Sequence, residues 1–388
     1  MIHRIVTLLR VLGFVALAYL LVVVLVFAGQ MVKGAFGDAD ADLVGQSLEP
    51  ALTATIESVR TIVAANRTPV YQRDAHAKPH GCVRAVFEVP EAQAGFRYGV
   101  FARPGTYEAW VRFSNGTVPS LADTEKDARG MAIKVMGVSG PQLLDPRLSG
   151  STQDFVMINS PNFFVRRLDD YAELERQSAK NTPFRYFFAD GSPNPFRWKL
   201  RELYLGLRTR KAATASPLSD QYYSMSAYHL GPQAVKFSAR PCEKPPAIGT
   251  DRSNPNFLRD AMQDVLRYHD ACFEFMVQVR DEDARMPIED TTVRWSEKDS
   301  PFVPVARVYI PRQGFDTPAQ NEMCENLSFN PWHGLTDHLP LGKINEMRRE
   351  LYLYTAAFRR GRNGSAMQEP TSWCDALPSH CQSGTWVE

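Results

Sequence analysis

Residues 11–28, VLGFVALAYLLVVVLVFA, carry no charge, and nothing else in the chain resembles them. Eighteen residues at about 1.5 Å of rise nearly cross a hydrocarbon core of about 30 Å, so the run predicts a membrane helix. Arg4 and Arg10 precede it, whereas Lys33 and then Asp38, Asp40 and Asp42 follow. That asymmetry predicts a single-pass protein with its N-terminus in the cytoplasm and its body on the periplasmic or extracellular side. A cleaved signal peptide is the alternative, with Arg4 and Arg10 as its basic region. Against it, the apolar stretch is longer than usual and no clean small-x-small site lies near Ala28. The expectation is an uncleaved anchor over residues 1–34, in contact with the lipid bilayer through 11–28.

The remainder has the balance of a globular protein. With 44 Lys+Arg against 43 Asp+Glu, a net charge of +1 and no single-signed block, the chain lacks the electrostatic footprint for a phosphate backbone, and no nucleic-acid partner is expected. Six cysteines in 388 residues are too few for a disulfide-framework fold, and none stand at CxxC spacing. In an oxidising compartment Cys374 and Cys381 either close a short loop or remain two free thiols.

Past the anchor, residues 35–67 read as a stalk that ends in an apolar-periodic helix, LEPALTATIESVRTIVAA. Then the pattern changes. CVRAVFEV, GTYEAWVRFS and GMAIKVMGV are rich in Val, Phe, Tyr and Ile and are separated by Pro and Gly, which predicts strands. Helices are predicted over 168–180, 196–211 and 256–269, strands again over 271–279 and 302–309, and a closing helix over 343–360. There is no internal repeat. Strands, a helical insertion, further strands and a final helix predict an α+β fold with an antiparallel β-barrel core, preceded by one transmembrane helix. The main domain is placed at 68–363 and a tail at 364–388.

Four segments carry residue types suited to chemistry. RDAHAKPHGCVRAVFEV sets Arg73 three residues before His76, and AWVRFSNG puts Arg112 and Ser114 on one strand face by period two. INSPNFFVR holds Asn159, Phe163 and Phe164, and NEMRRELYLYTAAFRR holds Arg348 and Tyr352 four apart, on one face of a helix. A guanidinium one turn from a phenol favours the phenolate.

Taken in order, RxxHAK, VRFS, a DxRG turn at Asp127, Ala128, Arg129 and Gly130, the Asn-Ser-Pro segment and the late Arg-x-x-x-Tyr resemble the haem catalase superfamily. The likeness covers roughly residues 73–363 and is nearest the short, catalase-related branch, since no flavodoxin-like domain fits in the 25 residues after Asn363.

The resemblance implies haem b as cofactor, with Tyr352 as axial iron ligand and Arg348 as its stabiliser. It implies His76 as distal acid/base, oriented by Ser114, and Asn159 positioning the peroxide. Arg73, Arg112 and Arg359 become propionate partners, and Phe163 or Phe164 packs on the porphyrin. The physical reading agrees: a neutral imidazole shuttles a proton between peroxide oxygens, and planar guanidiniums suit carboxylates.

This chain also departs from the pattern. Pro79 stands where a glycine usually follows HAK, Tyr354 replaces an acid after the ligand tyrosine, and Ser160 replaces a threonine. The expected function is therefore a membrane-anchored haem enzyme that acts on hydrogen peroxide or on organic and lipid hydroperoxides. Isomerisation of fatty acid hydroperoxides, as in allene oxide synthases, and a non-catalytic haem protein are the alternatives. The basic amphipathic stretch over 196–210 is read either as an ordinary half-buried helix or as one lying on an anionic membrane surface.

Overall fold

The computed structural model describes residues 2–37, 40, 43–67, 70–91, 94–246, 249–365, 369–378 and 381; Asp38 and Asp42, counted above on the far side of the span, lie outside them. In chain order the regular elements begin with α1 (Ile2–Phe36), α2 (Leu48–Ala65), β1 (Pro79–Val89), β2 (Gly105–Asn115), β3 (Arg129–Met136), α3 (Pro146–Ser149), β4 (Thr152–Ile158), α4 (Leu168–Ala179) and α5 (Leu200–Thr209). They continue with β5 (Tyr222–Tyr223), β6 (Tyr228–Leu230), β7 (Gln233–Pro241), α6 (Phe257–Tyr268), β8 (Ala271–Val279), β9 (Val303–Ile310), α7 (Pro318–Asn326), α8 (Lys343–Asn363) and α9 (Trp373–Ala376).

The strands run β5-β4-β3-β2-β1-β9-β8-β7, every pair antiparallel, and β5 pairs with β7 to close the ring. That makes an eight-stranded barrel, with β6 added beside β7. Closure removes the free edges that a sheet this wide would expose.

Alternation decides what each strand buries. Val83, Ala85 and Phe87, then Ala109, Val111 and Phe113, then Met131, Ile133 and Val135 share the interior with Phe155, Phe237 and Phe275. Phe155 is the hub, its ring 4.5 Å from Phe275 and 5.1 Å from Phe237. Phe155→Ala would cost about 3–5 kcal/mol by leaving a cavity that its neighbours only partly fill.

On the outward face of β2 and β3, Trp110 and Met136 pack with Cys324 and Leu327 around α7 and with Leu377 after α9, while Arg112, Ser114 and Gly130 face Val63 of α2, Tyr171 of α4 and Tyr352 of α8 across a narrow cavity. Ala51 and Leu52 of α2 meet Leu168 and Ala172 of α4 and Ile344 and Met347 of α8. Val59 and Val63, farther along α2, pack on Leu351. The stalk helix is thereby one of the three that roof the barrel wall, and the functional site lies under this roof.

All six cysteines are paired: Cys82–Cys324, Cys242–Cys272 and Cys374–Cys381. Of these only the last was within reach of sequence spacing. The first fastens α7 to β1, joining residues 242 apart in sequence.

The structure also differs from the expected helix over 196–211. Asn194 caps Phe196, a single 3-10 turn spans Pro195–Arg197, and the α-helix starts only at Leu200. Pro195 fixes that first turn, which breaks before the α-helical register begins.

Candidate functional site

His76 precedes β1 and lies across the ends of β2 and β3. Its amide donates to Gly116 O at 3.0 Å, and its backbone adopts φ +56°. A histidine in the left-handed region is strained by about 1–3 kcal/mol and persists only where the surroundings over-determine it. Here Arg112, reaching out from β2, donates from Nη2 to His76 O at 2.7 Å. Ser114 Oγ stands 3.1 Å from His76 Nδ1. Ser114 is paired in register with Gly130, over which the imidazole rests. The period-two prediction thus brings Arg112 and Ser114 to the same face and to the same histidine.

Burial, reinforced by the Arg112 charge, lowers the His76 pKa from its usual 6.5 to about 4, so the ring is neutral at physiological pH. With Nδ1 occupied by Ser114, Nε2 is the nitrogen left for other partners; the tautomer is assigned from this hydrogen-bond pattern. His80, the rival histidine, is committed to Asn115 Oδ1 at 2.9 Å and lies outside both cavities described next.

A narrow cavity of about 110 Å³ has His76, Ser114 and Gly130 on its barrel side and Tyr352, Thr355, Ala356 and Arg359 of α8 on the other. Arg348 Nη2 donates to Tyr352 Oη at 3.4 Å, its guanidinium lies 5.3 Å from the phenol ring, and Nη1 is held by Ser226 and Asn345. Burial works against the Arg348 charge, and the Tyr352 and Tyr228 oxygens more than offset it, raising the pKa above its ordinary value. Tyr354 instead stacks on Phe358 at 6.1 Å and does not line this cavity.

One end of the cavity is densely cationic. Arg73 and Arg359 converge on Glu325, at 3.1 and 3.6 Å, and on the carbonyls of residues 324–327; the Arg359 donation to Glu325 O is especially close. Burial and the Arg73 charge pull Arg112 well below its ordinary pKa and Arg359 down to about 9. Asp74, beside them, is pushed up by its own burial, toward the neutral acid. Three guanidiniums therefore face one firm carboxylate, and Arg112 Nε is buried without a partner. Such an excess of buried positive charge is costly unless an anion completes it. A ligand bearing two carboxylates matches both the surplus and the bidentate geometry of guanidinium.

Beyond His76, Asp74, Ala75 and Tyr171, which are common to both, lies a second cavity of about 550 Å³. Its wall is mostly apolar and includes Phe163 and Phe164, whose rings are 5.0 Å apart, with Leu174, Phe187, Leu203 and Leu207. The two phenylalanines line this cavity and not the narrow one. Glu175 is here too, hydrogen-bonded to Tyr171, and burial with the nearby Asp74 raises its pKa to about 8.

Asn159 stands just behind these walls. Its Oδ1 accepts from Arg129 N at 2.8 Å and its Nδ2 donates to Asp220 at 3.3 Å, and it lines neither cavity. Glu325, Tyr171, Glu175 and Asp74 belong to the site without having been singled out in the sequence, and Gly130 appeared there only as a member of the DxRG turn.

No protein-family model matches the chain, and no curated protein matches it by sequence. Solved structures do match. A fungal catalase crystal structure aligns over 85% of this chain and 66% of its own, with TM-score 0.58 and 16% identity. Catalase A from Saccharomyces cerevisiae aligns over 85% and 67%, with TM-score 0.60 and 17% identity. A bacterial catalase aligns over 79% and 60%, with TM-score 0.50 and 17% identity. The protein is an α+β barrel protein of the catalase-like fold. It spans about two thirds of the length of those catalases.

Proposed function

We propose that this is a membrane-anchored haem protein acting on peroxides, with organic or lipid hydroperoxides as the substrate class. The observation that carries the reading is the unbalanced cluster of Arg73, Arg112 and Arg359 at the end of a cavity that has His76 on one wall and Tyr352 on the other. The three arginines would hold the two propionates of haem b, and Tyr352, supported by Arg348, would give its phenol oxygen to the iron. Among the described residues no group of three His, Cys, Asp or Glu side chains forms a metal site, so iron here would rely on a porphyrin for most of its ligands. Bound haem would supply the electron chemistry of peroxide cleavage.

The chain's own residues supply the proton chemistry. His76 Nε2 takes the proton from a hydroperoxide and returns it to the departing oxygen, while Ser114 keeps the ring in one orientation through Nδ1. Asn159 acts as a positioning residue, tying the end of β4 to β3. The large apolar cavity adjoining His76 favours a substrate with a hydrocarbon body over hydrogen peroxide alone. The same cavity suits isomerisation of a fatty acid hydroperoxide, which differs in consuming no reductant. Three disulfides support a location of the domain on the non-cytoplasmic side.

Titration of the purified full chain with haemin, and in parallel with its dimethyl ester, tests this reading. A ferric tyrosinate spectrum that forms with haemin and is far weaker with the ester is expected, because the ester offers the arginines no charge. A chain that yields no Soret band with either overturns the reading. Product analysis with a lipid hydroperoxide, with and without a reducing dye, separates reduction from isomerisation.

A further inference from the structure

The last eighteen residues of the hydrophobic helix, from Tyr19 on, do not stand clear of the domain. Tyr19 Oη donates to Pro193 O at 2.7 Å and its ring meets Trp198 at 6.2 Å. Farther along, Phe27 meets Tyr204 at 6.0 Å, and Gln30 both donates to Trp198 O at 2.6 Å and accepts from Arg201 N at 3.0 Å. Arg285 closes the end of α1 with a bond to Gly34 O at 2.9 Å. A helix that crosses a bilayer carries whatever is packed on its flank to the same depth. With residues 11–28 as the span, the contacts at Phe27, Gln30 and Gly34 fall at its outer end, where hydrocarbon gives way to headgroups, and the Tyr19 contact lies about 14 Å inside that end.

The surface brought there is not an ordinary one. Phe184, Phe196, Tyr204 and Leu207 are 50%, 74%, 36% and 53% exposed, within 24 residues of sequence and beside α1, whereas exposed large apolar side chains elsewhere in the domain are scattered singly. Trp198 and Tyr204 are amphipathic rings of the kind that settle at headgroup level, and Arg185, Arg197 and Arg208 lie around them. Phe184 and Leu207 also line the large cavity, so one rim of that cavity lies on this surface.

We infer that residues 184–207 form a second membrane contact, seated in the interfacial layer of a phospholipid bilayer next to α1, with a rim of the apolar cavity opening into it. This rests on the reading of α1 as a membrane span. It adds to that reading a route by which acyl chains reach His76 without passing through water.

The test uses the full chain in vesicles of phosphatidylcholine and phosphatidylglycerol. Since the six native cysteines are paired, a cysteine introduced as Phe196→Cys, Leu207→Cys or Tyr268→Cys takes a bimane label alone. Tyr268 is the control, an aromatic residue 67% exposed at the end of α6. Doxyl-labelled lipids should quench the labels at 196 and 207 at least about threefold more than the label at 268. Equal quenching at all three positions in protein that resists carbonate extraction overturns the second contact and leaves the span standing. Protein that carbonate washes off the vesicles overturns both.

Discussion

A Cβ built on Gly130 would lie 2.5 Å from His76 Nδ1 and 2.8 Å from Ser114 Oγ. The imidazole therefore lies flat on β3 because residue 130 has no side chain. Gly130→Ala must push the ring off Ser114, and we expect about 1–3 kcal/mol of destabilisation from the overpacking. Peroxide turnover should fall by at least about tenfold while haem binding, measured by absorption, stays intact. Turnover equal to wild type would mean that the His76–Ser114 contact does not set the reactive orientation.

Tyr352 and Tyr354 are two residues apart on α8 and differ in every contact. Tyr352→Phe removes the only phenol of the pair that Arg348 reaches and that lines the narrow cavity, so haem retention should be lost or its spectrum changed. Tyr354→Phe keeps the stacking on Phe358 and should bind haem as wild type does. An exchange of the two phenotypes in a haemin titration would shift the ligand register by two residues.

Since the His76 pKa is lowered to about 4, an active site that needs neutral imidazole should keep its turnover from pH 7.5 down to about 5. The unfolded chain, with its histidine near 6.5, binds the extra proton between about 4 and 6.5, so the folded state loses stability as the pH falls through that window. His338, lowered by burial to about 4, pulls the same way. A pH–rate profile with its acid limb near 6.5 would show the ring to be solvated and would falsify this assignment.

Glu175 has the opposite sign. Its pKa is raised from 4.5 to about 8, so the folded state holds a proton that the unfolded chain has released over that range, and stability declines as the pH rises through it. Glu175→Gln keeps a neutral polar group and removes the titration. Its melting temperature relative to wild type should rise steadily from pH 5 to 8 and then level off. A difference independent of pH would place the carboxylate in contact with water.

Much of the barrel was legible because its strands declare themselves. Val83, Ala85 and Phe87 recur at period two with Arg84 and Glu88 among the intervening positions, and Arg112 with Ser114 shows the outward face directly. β4, TQDFVMI, is not legible because Thr152, Gln153 and Asp154 read as a polar turn although they are buried, leaving only four apolar residues. β7 was missed although Val235, Phe237 and Ala239 alternate cleanly with Lys236 and Ser238. In the site, local spacing pairs Arg112 with Ser114 and Arg348 with Tyr352, whereas the roles of His76 and Tyr352 come from the catalase resemblance. Glu325, Glu175 and Tyr171 follow from neither, since they reach the cavities on helices whose docking no local period encodes. The Cys82–Cys324 bond is the extreme case, joining residues with no sequence relation.

That same bond gives the proposed cofactor pocket a chronology. It draws a covalent ring around nearly the whole barrel and fixes the turn after α7 whose carbonyls and Glu325 grip Arg73 and Arg359. If the chain crosses the membrane unfolded, the ring is sealed only after passage, by the oxidants of the receiving side. Under the proposed function, haem would then reach a protein already exported, and cofactor and polypeptide would cross the membrane as separate cargoes.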